Sequence, residues 1–242
     1  MITVHNLKKS YGHKAVLRGL SLRAAPREIT LLVGPNGAGK STTMKVLAGL
    51  IRPEKGHASI AGHDLVREKL GAQRALAYLP QNPAFHPYFS CRQILSFYAR
   101  LRGVDPARIE LALNSAGLRE VALERTGALS GGLRQRLGLA LLLLADAPVL
   151  LLDEPGLSLD PGWRKRLQEI LHAETRRGKT VLVTTHLIGE WNGVAHRCLL
   201  CRAGQIASEL DPANLPSDFD DLDLPLPRDA DVREPLINLR PA

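Results

Sequence analysis

The run Ile29-Thr-Leu-Leu-Val33 is almost wholly apolar and leads directly into Gly34-Pro35-Asn36-Gly37-Ala38-Gly39-Lys40-Ser41-Thr42. A short run without polar alternation reads as a strand buried on both faces. The segment after it matches GxxxxGK[ST], in which glycines let successive backbone N–H groups turn inward around anionic oxygens. A helix beginning near Gly39 and stopping near Gly49 adds the favourable end of its dipole. This strand–loop–helix unit is a cradle for phosphate. Lys40 is expected to neutralise the outer phosphates, the Ser41 hydroxyl to ligate Mg²⁺, and Thr42 to reach the innermost phosphate.

A second apolar run, Val149-Leu-Leu-Leu-Asp153-Glu154, ends in two carboxylates. The C-terminal edge of a parallel sheet is where ligands bind, so Asp153 is expected beside the phosphate loop, holding a Mg²⁺ water. Glu154 projects differently and is expected to polarise the attacking water as general base. A strand ending in solvated acids is the plain alternative. The phosphate loop earlier in the chain weighs against it.

Around these motifs, strands are predicted at 2–6, 21–24, 28–33, 57–61 and 75–79. Helices follow at 91–101, 106–116 and 133–145, inside a helical block spanning about 83–145. Strand and helix then alternate again at 149–153, 162–176 and 180–185, with a further strand around Cys198. That order describes an α/β fold with a mostly parallel sheet and a helical insertion. No internal repeat is present, so one nucleotide domain is expected over 1–210.

The chain has 242 residues, 45% hydrophobic and 23% charged, enough to bury a core. Its longest apolar stretch, Leu137 to Leu152, is interrupted by Asp146 and Pro148 and falls short of the roughly 20 residues of a membrane span. The opening MITVHNLKKSYG lacks the apolar block of a secretion signal, so a cytoplasmic location is expected. Cys198 and Cys201 form a CxxC, but residues three apart on a strand face opposite sides, so both read as core. The net charge is +8, yet residues 211–242 carry eight acids and three bases. That acidic, proline-rich end is read as a loose extension.

Leu129-Ser130-Gly131-Gly132, followed by Arg134-Gln135-Arg136, resembles the signature motif of ABC ATPase domains. Further elements stand in the family's order. Tyr11 resembles the aromatic that stacks on adenine. Gln81 resembles the glutamine that senses the γ-phosphate or Mg²⁺ and links to the membrane partner. Ser158-Leu159-Asp160 resembles the D-loop, and His186 the switch histidine. The resemblance covers about 1–210. It implies a P-loop NTPase core with an N-terminal antiparallel β subdomain, ATP and Mg²⁺ as cofactors, and ATP hydrolysis.

By this resemblance Glu154, His186 and Gln81 are the catalytic candidates. Tyr11, Gly34 through Thr42, Ser130, Gly131, Gly132 and Asp160 contact nucleotide, and Ser41, Gln81 and Asp153 serve the metal. It also implies a second ATP-binding subunit and a separate transmembrane permease that would hold the chain at the inner face of the membrane, with no nucleic-acid partner. Phe97-Tyr-Ala-Arg-Leu-Arg-Gly103 is similar to subunits of the ABC-2 export group. The competing reading is a non-transport ABC ATPase working on nucleic acid or ribosomes. It lacks support in the form of coiled coils, zinc modules or a second nucleotide domain.

Two departures stand out. Leu133 occupies the signature position where glutamine is frequent, and Pro155-Gly-Leu-Ser158 replaces the usual D-loop lead-in. Phe85, Phe89, Phe97, Tyr78, Tyr88 and Tyr98 concentrate most of the aromatics, and they mark a candidate groove for the membrane subunit. Packing of the helical block is the equal alternative.

Overall fold

A computed structural model describes residues 1–216; most of the acidic extension expected over 211–242 lies outside the described residues. β1 (Ile2–Tyr11) and β2 (Lys14–Ala24) form an antiparallel pair, with β4 (Lys55–Ile60) and β5 (His63–Asp64) completing a four-stranded sheet in the order β2-β1-β4-β5. A second sheet combines β3 (Ile29–Val33), β6 (Leu76–Leu79), β7 (Val149–Asp153), β8 (Thr180–Thr184), β9 (Arg197–Arg202) and β10 (Gln205–Leu210). Its order is β10-β9-β3-β8-β7-β6, parallel except that β10 runs antiparallel to β9.

Every residue of β3, β7 and β8 is buried, which is what their largely apolar character demands of central parallel strands. Their side chains alternate between two cores. Val149 and Leu151 face the antiparallel sheet and α1 (Lys40–Leu47), while Leu150 and Leu152 face α6 (Pro161–Arg176). The two cysteines of β9 divide in the same way, Cys201 toward the first core and Cys198 toward the second. Both are free thiols.

α2 (Lys69–Arg74) precedes β6, and after it the chain forms α3 (Cys91–Arg102), α4 (Ala107–Ser115) and α5 (Gly131–Leu144) around a third core. α3 starts on a capping box between Ser90 and Gln93 and stops at Gly103 in the left-handed conformation. α5 serves two cores: Leu137, Ala140 and Leu144 pack with α3 and α4, while Leu139 and Leu142 pack under the parallel sheet. A helix buried on both sides has no need of a polar stripe, which explains its Leu-rich sequence. Among the described residues no helix is long and apolar enough to cross a membrane.

The sequence-based strands at 2–6 and 21–24 were too short, since β1 and β2 extend over 10 and 11 residues. Register shifts along their ladder, between Val4 and Leu7 and between Lys9 and Ser10, break the two-residue alternation that would have revealed them.

Candidate functional site

β3 delivers the chain to Gly34, and the loop through Gly39 wraps back so that α1 begins at Lys40. Gly34 has φ 152°, and a Cβ there would lie 2.1 Å from the carbonyl oxygen of Cys201 on the neighbouring strand. Only glycine allows the loop to leave the sheet this closely. Lys40 is buried, its Nζ donating to Gly34 O at 2.6 Å and Pro35 O at 3.2 Å. Its ammonium thus sits among the carbonyls of its own loop, where arriving phosphate oxygens would compete for it.

β7 runs parallel between β6 and β8 and carries Asp153 to the same edge. Asp153 is buried and accepts from Thr184 Oγ1 at 2.6 Å and Ser41 Oγ at 3.2 Å through Oδ1. Tyr78, on the neighbouring β6, donates its hydroxyl to Oδ2 at 3.5 Å. Burial first, and then the charge of Asp153, push the Tyr78 phenol well above its ordinary value, so it stays a donor. Sequence reasoning grouped Tyr78 with an aromatic contact surface; the structure places it against the carboxylate. Thr184 was missed altogether, because a threonine in an apolar strand carries no signal until its partner is known.

Glu154 follows in a left-handed backbone conformation, φ 49°. Its N–H donates to Thr184 O and Thr184 Oγ1, both at 3.0 Å, which pins the turn to β8. The carboxylate is thereby aimed at His186, whose Nδ1 lies 2.8 Å from Oε2 and whose backbone N–H donates to the same oxygen at 3.2 Å. The His186 side chain is about half exposed at 45%, while that of Glu154 is largely buried at 10%.

A cavity of about 390 Å³ opens over the loop, lined by Tyr11, Lys14, Asn36, Lys40, Gln81 and Glu154 among others. Tyr11 is half exposed at its rim, and Gln81 is exposed. The structure therefore gathers Tyr11, the phosphate loop, Gln81 and Glu154 around one opening, with Asp153 beside Ser41. Lys14 joins them without having been singled out from the sequence.

Ser130, Gly131, Gly132 and Asp160 do not line that cavity. Ser130 caps α5, accepting from Leu133 N–H at 3.2 Å, and leaves an exposed helix start. Asp160 caps α6, accepting from Trp163 N–H at 3.0 Å. Leu133, where glutamine is frequent, supplies the capped N–H through its backbone, so its side chain leaves the cap intact.

A larger cavity of about 660 Å³ lies along α3, lined by Tyr88, Phe97, Leu123, Arg92, Arg100 and Arg125 among others. Tyr88, Phe97 and Leu123 are exposed by 71%, 61% and 78%. Phe85, by contrast, packs against the third core.

Residues 17–156 match the family described as ABC transporter. The chain is 37% identical over 218 residues to the Nod factor export ATP-binding protein I of Paraburkholderia xenovorans, covering 88% of this chain and 72% of the relative. It is 36% identical to the daunorubicin resistance ATP-binding protein DrrA3 of Streptomyces coeruleorubidus, covering 86% and 67%. A solved ATP-binding subunit of an ABC transporter superposes with a TM-score of 0.81 at 26% identity, covering 91% of each chain. A dimeric ATP-binding cassette holding ADP and phosphate shares the fold with a TM-score of 0.80 at 24% identity, covering 88% of this chain and 99% of that one. With the phosphate loop, the Asp153–Glu154 edge and the signature turn in place, the chain belongs to the ABC transporter family as an ATP-binding and ATP-hydrolysing subunit.

Proposed function

We propose that this subunit powers an export-type transporter by pairing with a second ATP-binding subunit, each ATP held between the phosphate loop of one and the signature turn of the other. The observation that carries this reading is the separation just described. Ser130 to Gly132 form a helix N-terminus suited to anions, exposed at Ser130 and Gly131, yet they line no part of the cavity over Lys40. A facing subunit supplies what each site lacks.

Within such a site Gly34 to Thr42 hold the phosphates, and Lys40 exchanges its loop carbonyls for phosphate oxygens. Tyr11 offers a flat face at the rim for the adenine. Glu154 takes a proton from the attacking water, and His186 holds that carboxylate in orientation while reaching the γ-phosphate. Gln81 stands at the rim, where it senses the outer phosphate. Asp160 lies at the edge facing the second subunit.

The oxygens of Ser41 and Asp153 are hard donors of the kind magnesium takes alongside phosphates. Their mutual contact at 3.2 Å fits them to one ion. Bound there with Gln81 nearby, magnesium would neutralise phosphate charge.

The groove along α3 suits a segment of a separate permease, its aromatic and leucine side chains receiving apolar residues and its arginines receiving carboxylates. The names of the relatives, Nod factor export and daunorubicin resistance, support export as the direction.

Turnover measured against protein concentration tests the pairing. Activity per molecule is expected to rise with concentration as half-sites assemble. A specific activity that stays constant on dilution to the nanomolar range would contradict it.

A further inference from the structure

Two adjacent residues of α5 hold the two ends of the segment that follows Glu154. Gln135 is buried and donates from Nε2 to Pro155 O at 3.2 Å. Arg136 places its guanidinium carbon 3.9 Å from the ring centre of Trp163, in the first turn of α6. Between these anchors run Gly156 to Asp160, with Leu159 buried and Asp160 capping α6. Ser158 O lies close against Gly132, in the signature turn itself.

Arg136 also ends α4. Its Nε donates to Ala116 O at 2.8 Å, and its Nη2 donates to Gly117 O. At Gly117, φ 60°, an added Cβ would come within 2.6 Å of both Arg136 Nη2 and the Trp163 ring. The junction of α4, α5 and α6 is therefore closed tightly around one guanidinium. A planar guanidinium can stack its face on an indole while its edge donors reach two carbonyls. A lysine cannot do both.

We propose that Arg136 and Trp163 are positioning residues for ATP hydrolysis, clamping the Gly156–Asp160 loop to the signature turn so that both are presented to the facing subunit as one rigid edge. This rests on the paired-subunit reading. Neither residue touches the cavity over Lys40, so the clamp acts on the far half of the composite site and leaves nucleotide binding to the single subunit alone. The loop it holds has an exposed Leu157 and is closed on itself by a backbone bond, Leu159 N–H donating to Gly156 O at 3.1 Å.

The test compares Trp163→Leu, Trp163→Phe and Arg136→Lys. Each is made in the Glu154→Gln chain for dimer formation with ATP, and in the otherwise native chain for turnover. Trp163→Leu and Arg136→Lys are expected to lower kcat by about tenfold to a hundredfold, the range for small misplacements of a site. Their dimers should need correspondingly higher protein concentration, while ATP affinity of the single subunit stays within about twofold. Trp163→Phe keeps an aromatic face and should recover most of both. If Trp163→Leu and Arg136→Lys merely melt earlier and dimerise like the parent, the contact is structural and the proposal fails. It fails equally if Trp163→Phe and Trp163→Leu behave alike, a comparison that decides alone should Arg136→Lys not fold. If the Glu154→Gln parent stays monomeric with ATP, the paired reading falls first and the clamp has no facing subunit to serve.

Discussion

Glu154 holds a backbone conformation that costs a non-glycine residue about 1–2 kcal/mol, and its φ of 49° is offset by two bonds from its N–H to Thr184. Strain of this kind at the end of β7 turns the carboxylate away from the strand and toward His186. On the proposed role of Glu154 as general base, Glu154→Gln is expected to slow hydrolysis by at least about a hundredfold, seen as phosphate release, with ATP binding retained. In the proposed phosphate site Lys40 would give charge-assisted bonds of about 1.5–3 kcal/mol each. Lys40→Ala should therefore weaken ATP binding at least about tenfold in equilibrium titration. Unchanged affinity would remove Lys40 from the phosphate site. Lys40, Ser41, Asp153 and Glu154 were legible in the sequence because glycine spacing and an acid-ended strand dictate their place. Tyr78 and Thr184 were not, because their contacts with Asp153 join different strands and their residue types fit any sheet.

At the scale of elements, α5 joins the helical block to the parallel sheet. Its start is the signature turn, its flank is shared by two cores, and Gln135 and Arg136 tie it to the segment after β7. Replacing the cap, Ser130→Ala, should cost about 1 kcal/mol in unfolding free energy, and should also weaken association between subunits beyond what that loss explains. β9 offers a separate check. Burial pushes the thiols of Cys198 and Cys201 up to about 12. Thiolate forms only as pH approaches that value, so at pH 8 both should resist iodoacetamide in the native chain and react once it is denatured, as mass spectrometry would show. Rapid native labelling would contradict their burial. The CxxC spacing already placed them on opposite faces, while the true lengths of β1 and β2 stayed hidden behind their bulges.

Over the whole molecule, the cavity over Lys40 and the groove along α3 share no lining residue, and the signature turn lines neither. Substituting the groove, Phe97→Asp with Tyr88→Asp, should leave turnover of the isolated subunit within about twofold, since neither side chain reaches the cavity over Lys40. The same substitutions should abolish copurification with the proposed permease. Copurification that persists would place the permease elsewhere. The α/β alternation and helical insertion were readable from periodicity alone. The antiparallel β10 was not, because an edge strand half open to solvent shows little apolar pattern. The measurement that bears most directly on the account is the mass of the Glu154→Gln chain by light scattering, with and without ATP and magnesium. A monomer that becomes a dimer only with ATP is the expected result. A chain that remains monomeric at saturating ATP would contradict the shared site on which the mechanism depends.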